Sequence, residues 1–118
     1  MFTTKKIIRF KPEGSTSNSL ANAKLIAEAG YKYKSGIFEF KPQFGDYVVV
    51  VVFGRGDETA SHTFSGFGIG YSGEGPRGLM EFGKLFGLGF SQEKVFGMEF
   101  AESFAGDNTA AFDLEDLR

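Results

Sequence analysis

Tyr47-Val48-Val49-Val50-Val51-Val52-Phe53 is an unbroken apolar run in which valines stand between two aromatic residues. β-Branched and aromatic residues favour extended backbone, and a run without polar alternation is typical of a strand covered on both faces. Turn-forming residues precede it at 42–46 and follow it at 54–57. The sequence therefore predicts a central strand over residues 46–54.

Further elements are predicted on both sides of this strand. The hydrophobic patterns and turn residues indicate strands over 5–11, 33–41 and 62–71, and helices over 18–29, 76–87 and 91–104. Gly30 is a C-cap candidate for the first helix, and Pro76 suits the first position of the second. The pattern in 91–104 fits both a strand and a helix, and Ser91 as an N-cap candidate favours the helix.

These elements predict an α+β fold. We expect a mostly antiparallel sheet of about four strands with two to three helices, of which at least two cover one face. The 15 phenylalanines are expected to fill the core. Residues 1–105 form a single domain in this prediction, and residues 106–118 form an acidic C-terminal tail or a short helix.

Composition excludes several function classes. The chain of 118 residues has no cysteine and one histidine, His62, so neither disulfide or thiol chemistry nor a metal site is expected. No cofactor motif is found, and no apolar run is long enough to span a membrane. The N-terminus lacks the apolar region of a signal peptide, which predicts a cytoplasmic protein.

Charge is unevenly distributed. Residues 1–42 are basic, whereas residues 100–118 hold five carboxylates and a single arginine. The acidic end predicts a surface for contact with a partner protein, made of Glu102, Asp107, Asp113, Glu115 and Asp116. The basic end suggests an alternative, a single-stranded nucleic-acid binder with Lys5, Arg9, Lys11, Lys32 and Lys34 beside Tyr31 and Tyr33.

A glycine-dense segment lies where a predicted strand meets a helix. Gly68 to Gly73 formally match the dinucleotide fingerprint, but Pro76 places the helix start beyond the motif, which argues against it. A helix N-terminus beside an arginine can still hold a phosphate or nucleotide. The candidate ligand-binding residues are Gly73, Gly75, Arg77, Tyr71 and Phe67. The alternative is a tight structural corner, in which Gly73 or Gly75 has positive φ.

Two smaller motifs have structural interpretations. Ser61 and His62 point to opposite faces of a strand, so they cannot form a catalytic pair, and His62 is predicted to be exposed. Arg55-Gly56-Asp57 is interpreted as a hairpin tip.

Residues 65–76, Ser-Gly-Phe-Gly-Ile-Gly-Tyr-Ser-Gly-Glu-Gly-Pro, resemble the signature of an uncharacterised family from bacteria, phages and plasmids. That family carries a segment G-F-x-W-G-Y-x-G-S-G-P-x-x-L followed by two helices. Ile69 replaces the tryptophan of the signature and Glu74 its serine. The resemblance covers about residues 61–104 and implies a strand-turn-helix-helix unit and a mobile-element origin, but no activity.

The leading functional prediction is a non-enzymatic binding protein. It would be a phage or mobile-element accessory or inhibitor that acts by contact with a host or defence protein. Its oligomeric state is left open.

Overall fold

The computed structural model describes residues 3–6, 16–41, 46–70, 72–97 and 111–118. The fold is α+β, as predicted. The strands within these residues are β1 (Thr3–Lys6), β2 (Lys32–Lys41), β3 (Asp46–Arg55), β4 (Glu58–Phe64) and β5 (Ala111–Asp113). The helices are α1 (Thr16–Glu28), α2 (Glu74–Leu85), α3 (Gln92–Gly97) and a 3-10 helix (Leu114–Leu117). None of the described helices is long and apolar enough to cross a membrane.

The strands form one sheet in the order β1-β4-β3-β2-β5, with the valine-rich β3 at the centre. Both neighbours of β3 are antiparallel to it, and β5 is antiparallel to β2. β1 runs parallel to β4 at one edge of the sheet. The central strand and the mostly antiparallel sheet are therefore confirmed. The predicted count of about four strands is one short, because the three-residue β5 is too short to show a periodic pattern.

One face of the sheet carries the core. Val49, Val51 and Phe53 alternate along β3 and are fully buried. They belong to one apolar cluster with side chains from all three α-helices, namely Ala23, Ile26, Leu79, Phe82 and Val95. The prediction that at least two helices cover one face is confirmed.

Phenylalanine rings fill the centre of this core. The ring centroids of Phe64 and Phe82 lie 5.3 Å apart, and those of Phe53 and Phe86 lie 5.1 Å apart. Tilted and edge-on ring pairs at these separations add to the stabilisation from buried area. Within the described residues, phenylalanine therefore serves mainly to pack the core.

α1 and α2 approach each other at Gly78. A Cβ on Gly78 would meet Thr16 Cγ2 and, at 3.2 Å, the ring of Phe67. Thr16 is held in its rotamer, because its Oγ1 donates a hydrogen bond of 2.5 Å to the carbonyl of Gly66. Glycine at position 78 thus allows the two helices to pack closely.

Several predicted boundaries shift. α2 begins at Glu74 rather than at Pro76, since a proline in the first helical turn lacks only an N–H that would have no intrahelical partner. β4 ends at Phe64 rather than at residue 71, because the chain turns at Gly66, where φ is +85°. α3 confirms the helical interpretation for 92–97, and residues 98–104 lie outside the described part, as do residues 7–11 of the first predicted strand.

The C-terminal residues 111–118 belong to the domain. Leu114 and Leu117 of the 3-10 helix are fully buried in the core cluster. The N–H of Ser91 donates to the carbonyl of Leu117 at 2.7 Å, and Lys94 Nζ donates to the carbonyl of Arg118 at 2.8 Å. The described part of the predicted acidic tail is thus a short strand and a helix that pack against the sheet.

Candidate functional site

We call the glycine-dense segment 65–75 the glycine corner. Several of its backbone polar groups form hydrogen bonds with neighbouring helices. The carbonyls of Ser65 and Gly66 accept hydrogen bonds from the hydroxyls of Ser19 and Thr16. The N–H of Gly70 donates to the carbonyl of Val95 at 2.9 Å. These bonds join the corner to α1 and α3, which is the arrangement of a structural corner.

The glycines of the corner that have positive φ are not the ones that were predicted to have it. φ is +85° at Gly66 and at Gly70, a region that favours glycine. Gly73 is extended, with φ −169°, and Gly75 has no positive φ. The prediction of positive φ at Gly73 or Gly75 is therefore wrong, because the chain reverses before these residues and not at the helix start.

The predicted ligand residues of the corner do not converge. Phe67 is 5% exposed and its ring packs between Phe64 and Phe82, so it is not open to a base. Arg77 is exposed, and its N–H bonds to the carbonyl of Gly73. Glu74 brings a carboxylate to the same helix end. Tyr71 lies outside the described residues.

Some of the acidic residues predicted to bind a partner form hydrogen bonds or ion pairs within the fold. Asp113, Glu115 and Asp116 are exposed. Asp113 Oδ1 accepts the N–H of Glu115 at 2.9 Å and so caps the 3-10 helix, while Glu115 pairs with Arg118 at 3.1 Å. Glu102 and Asp107 lie outside the described residues. The predicted five-carboxylate surface therefore reduces, in the described part, to one short acidic turn.

The basic residues lie on separate strands. Lys5 is on β1 and Lys32 and Lys34 are on β2, and β4 and β3 lie between these strands. Tyr31 is 7% exposed and its ring lies under the guanidinium of Arg55, 4.4 Å from the centroid. The described residues thus offer no single basic stacking platform. Arg9 and Lys11 lie outside them.

The contacts around His62 and around residues 55–57 show the structural role of each. His62 is 7% exposed and its ring meets Phe64 at 4.6 Å, so the prediction of an exposed histidine is wrong. It faces the helix side because it lies opposite the buried Val51. Arg55 pairs with Glu58 at 2.8 Å across the hairpin turn, which confirms the structural reading of residues 55–57. Among the described residues no group of three metal-ligating side chains occurs.

A cleft of about 660 Å³ opens at the edge of the sheet beside β2, and we call it the β2-edge cleft. Its volume lies within the range of small-molecule and peptide pockets. It is lined by Ala27, Tyr31, Lys32, Tyr33, Lys34, Leu85, Phe86, Leu88, Glu115 and Arg118. Four chain segments therefore meet there, from α1, β2, the end of α2 and the 3-10 helix.

The cleft touches the edge of β2 rather than one face of it. Lys32, Tyr33 and Lys34 are consecutive, and neighbouring strand residues point to opposite faces, so a cavity that contacts all three must reach around the strand edge. β5 pairs only with Ile37–Glu39. The edge from Lys32 to Ser35 therefore has no strand beside it within the described residues.

Tyr33 contributes a buried hydroxyl with no hydrogen-bond partner among the described residues. Burial, together with the carboxylates of Glu115 and Asp113, raises the pKa of Tyr33 to about 12. A buried polar group without a partner costs free energy, so it marks a place where the fold is not optimised for stability alone.

The rim of the cleft is charged, and polar surface outweighs apolar surface in its lining. Lys32 and Lys34 are exposed on β2, and Lys34 extends over Gly54, whose Cβ would meet Lys34 Cε at 2.5 Å. Arg118 is paired with Glu115, so the lysines are the lining cations outside that pair. Half-buried Leu85 and Phe86 and buried Leu88 line the interior.

Sequence reasoning missed this cleft. The alternation of tyrosines and lysines over residues 31–34 was the available signal, but it predicted base stacking. Most of the other lining residues lie far away along the chain, at 85–88 and 115–118, and only the packing of α2 and of the 3-10 helix brings them to β2.

Comparison of the chain with models of protein families, with curated proteins and with solved structures finds no match.

Proposed function

We propose that this protein is a non-enzymatic binding protein that recognises another protein through the β2-edge cleft. The observation that carries the proposal is that a strand edge without a paired strand in the described residues, a charged rim and the apolar side chains of Leu85, Phe86 and Leu88 meet in one place. Protein interfaces combine apolar contacts with a polar border.

The chemistry of the lining residues favours binding over catalysis. Tyr33, with its pKa raised to about 12, stays protonated near neutral pH and does not act as a general base there. Glu115 is held in an ion pair with Arg118. The cleft residues can therefore supply shape, apolar contact and charge to a partner.

The biological setting of the proposal comes from the resemblance of residues 61–104 alone. We infer that the protein is an accessory or inhibitor of a phage or mobile element, that it works in the host cytoplasm, and that its partner is a host or defence protein. The acidic turn at Asp113, Glu115 and Asp116 borders the cleft and would extend the contact surface.

A capture experiment with matched variants tests the proposal. Ala27→Phe places a ring into the cleft, while Ala21→Phe places the same ring on an exposed position of the same helix. The wild-type protein and the Ala21→Phe variant should retain the same protein from a bacterial lysate, and Ala27→Phe should lose it. Equal capture by all three proteins, or capture by none, would contradict the proposed function.

A further inference from the structure

We propose that the edge of β2 between Lys32 and Ser35 accepts an extended acidic segment of the partner as an added strand. The inference rests on the proposed function and specifies the partner's chemistry and its mode of binding. Strand addition gives affinity through main-chain hydrogen bonds and selectivity through alternate side chains.

The first argument is the unfilled edge. β5 pairs with β2 only at Ile37–Glu39, and the chain then turns into the 3-10 helix at Leu114. The backbone N–H and C=O groups of Lys32–Ser35 that point away from β3 have no strand partner among the described residues. The 3-10 helix that follows β5 contacts β2, with Leu114 against Gly36, so an added strand would lie farther along β2, beside the register shift between Tyr33 and Ser35.

The second argument is charge. Lys32 lies opposite Gly54 and Lys34 extends over the same glycine, so both lysines share the sheet face away from the helices. Carboxylates on the corresponding side chains of an added strand would lie beside them, since opposite charges on neighbouring strands attract. The carboxylates of Glu115 and Asp113 act on Tyr33 and oppose this attraction, but Glu115 is paired with Arg118. The acidic residues of the segment therefore belong on the sheet face that carries Lys32 and Lys34.

The same lysines argue against a second copy of this chain as the occupant. An antiparallel pair of two β2 edges would bring lysines close to lysines, and like charges on paired strands are destabilising. Lysine on an edge strand is a common device against self-pairing. The lysines of this edge thus disfavour pairing with a second β2 edge and favour pairing with an acidic strand.

The third argument is the group of apolar side chains on one wall of the cleft. Tyr33 lies opposite Phe53 and faces the helices, where Leu85, Phe86 and Leu88 line the cleft. In an added strand, the side chains between the acidic residues would point to this side. The expected segment therefore alternates acidic with apolar residues, and its apolar side chains enter the cleft.

Displayed peptide libraries test the inference on the full chain. One library alternates Glu or Asp with random apolar residues over eight positions, and a matched library carries Lys or Arg in place of the acids. Binders should come from the acidic library, and fluorescence anisotropy should show them to be at least about tenfold tighter than their Lys-for-Glu counterparts. The double variant Lys32→Glu/Lys34→Glu should abolish this preference, whereas Lys24→Glu, exposed on α1, should keep it.

Backbone methylation separates strand addition from binding by side chains alone. The best acidic peptide is made in two versions, N-methylated at its odd or at its even amides. Only one set of amides faces β2 in an added strand, so one version should lose about tenfold or more in affinity and the other should keep it.

Each other outcome overturns the inference. Equal affinity of both methylated versions and the parent, equal binding of acidic and basic peptides, or no enriched peptide would each exclude an acidic added strand. Stabilisation by a small anion such as a nucleotide, without peptide binding, would do the same. If Ala27→Phe still removes a captured protein while these tests fail, the proposed function stands and only the strand mode falls.

Discussion

The glycine corner and the β2-edge cleft use polar groups in opposite ways. In the corner, the carbonyls of Ser65 and Gly66 and the N–H of Gly70 are bonded to neighbouring helices. At the cleft, within the described residues, the β2 edge at 32–35 has no paired strand and the hydroxyl of Tyr33 has no hydrogen-bond partner. The corner, which is conspicuous in the sequence, stabilises the fold, while the cleft to which we assign the proposed binding role has no conspicuous sequence signal.

The comparison shows why glycine density is a weak sign of a ligand site. Gly66 and Gly70 are required by the positive φ of the backbone, and Gly78 is required by the close packing of α1 and α2. The proposed binding surface lies instead at a strand edge that has no paired strand in the described residues. The following variants test this contrast, from the largest expected effect to the smallest.

Leu117→Ala tests whether the 3-10 helix, which forms one wall of the cleft, is firmly packed on the core. Leu117 is fully buried, and its removal should lower the free energy of unfolding by about 3 kcal/mol. Urea denaturation measures the loss. Leu25→Ala, at a position 54% exposed on α1, is the control and should cost less than about 1 kcal/mol. Equal losses would mean that the C-terminal segment is loosely attached and that the cleft has no fixed wall.

Gly78→Ala tests the packing role next to the corner. The added methyl group would meet Thr16 and the Phe67 ring, which outweighs the gain in helix propensity and should cost about 2 kcal/mol. Gly97→Ala, at a helix end with open space around it, should change stability by less than about 0.5 kcal/mol. A neutral Gly78→Ala would show that α1 and α2 can separate at little cost.

Gly70→Ala tests the backbone role inside the corner. At φ +85° an alanine should cost about 1 kcal/mol or more, whereas Gly73→Ala at φ −169° carries no such strain. Melting temperatures of the two variants give the comparison. If Gly73→Ala proves the more harmful change, the sharp turn lies at the helix start and the assignment here is wrong.

Tyr33→Phe tests the unpaired hydroxyl at the cleft. Removing a buried group without a partner should leave stability unchanged or raise it by up to about 1 kcal/mol. A clear loss of stability would indicate that the Tyr33 hydroxyl has a hydrogen-bond partner.

The pH dependence of the same variant adds a second readout. The pKa of Tyr33 is raised from 10.0 to about 12, so between these values the unfolded chain loses the proton first. Tyr33 therefore makes the free energy of unfolding fall as pH rises through that window, and below pH 10 its titration has no effect on stability. Urea titrations at several pH values should show a shallower fall for Tyr33→Phe than for the wild type. Parallel curves would contradict the raised pKa.

Much of the fold was predictable because its signals are local. The valine run of β3 predicts the central strand, of which Val50 and Val52 are only half-buried, and Gly30, with φ +89°, follows the end of α1 as the helical pattern indicated. The spacing of Leu79 and Phe82 marked the buried side of α2. In each case a few adjacent residues carry enough propensity and periodicity to decide the element.

The candidate site was not predictable in the same way. The corner residues Phe67 and Arg77 are near in sequence, but one lies in the core and the other in solvent. β5 has three residues and no pattern, and its pairing with Ile37–Glu39 depends on the rest of the sheet being formed. Where β5 ends determines how much of the β2 edge is left open.

The amino-acid sequence by itself determined the α+β class, the central strand, the positions of the helices and the phenylalanine core, since these follow from propensities and apolar spacing within short windows. Only the tertiary structure decided that His62 is buried, that Gly66 and Gly70 supply the positive-φ turns and Gly78 the close helix packing, and that Tyr33 and Arg118 line the same cleft. The physical reason is that burial and unpaired edges are properties of contacts between distant segments, and those contacts form only when the chain has folded.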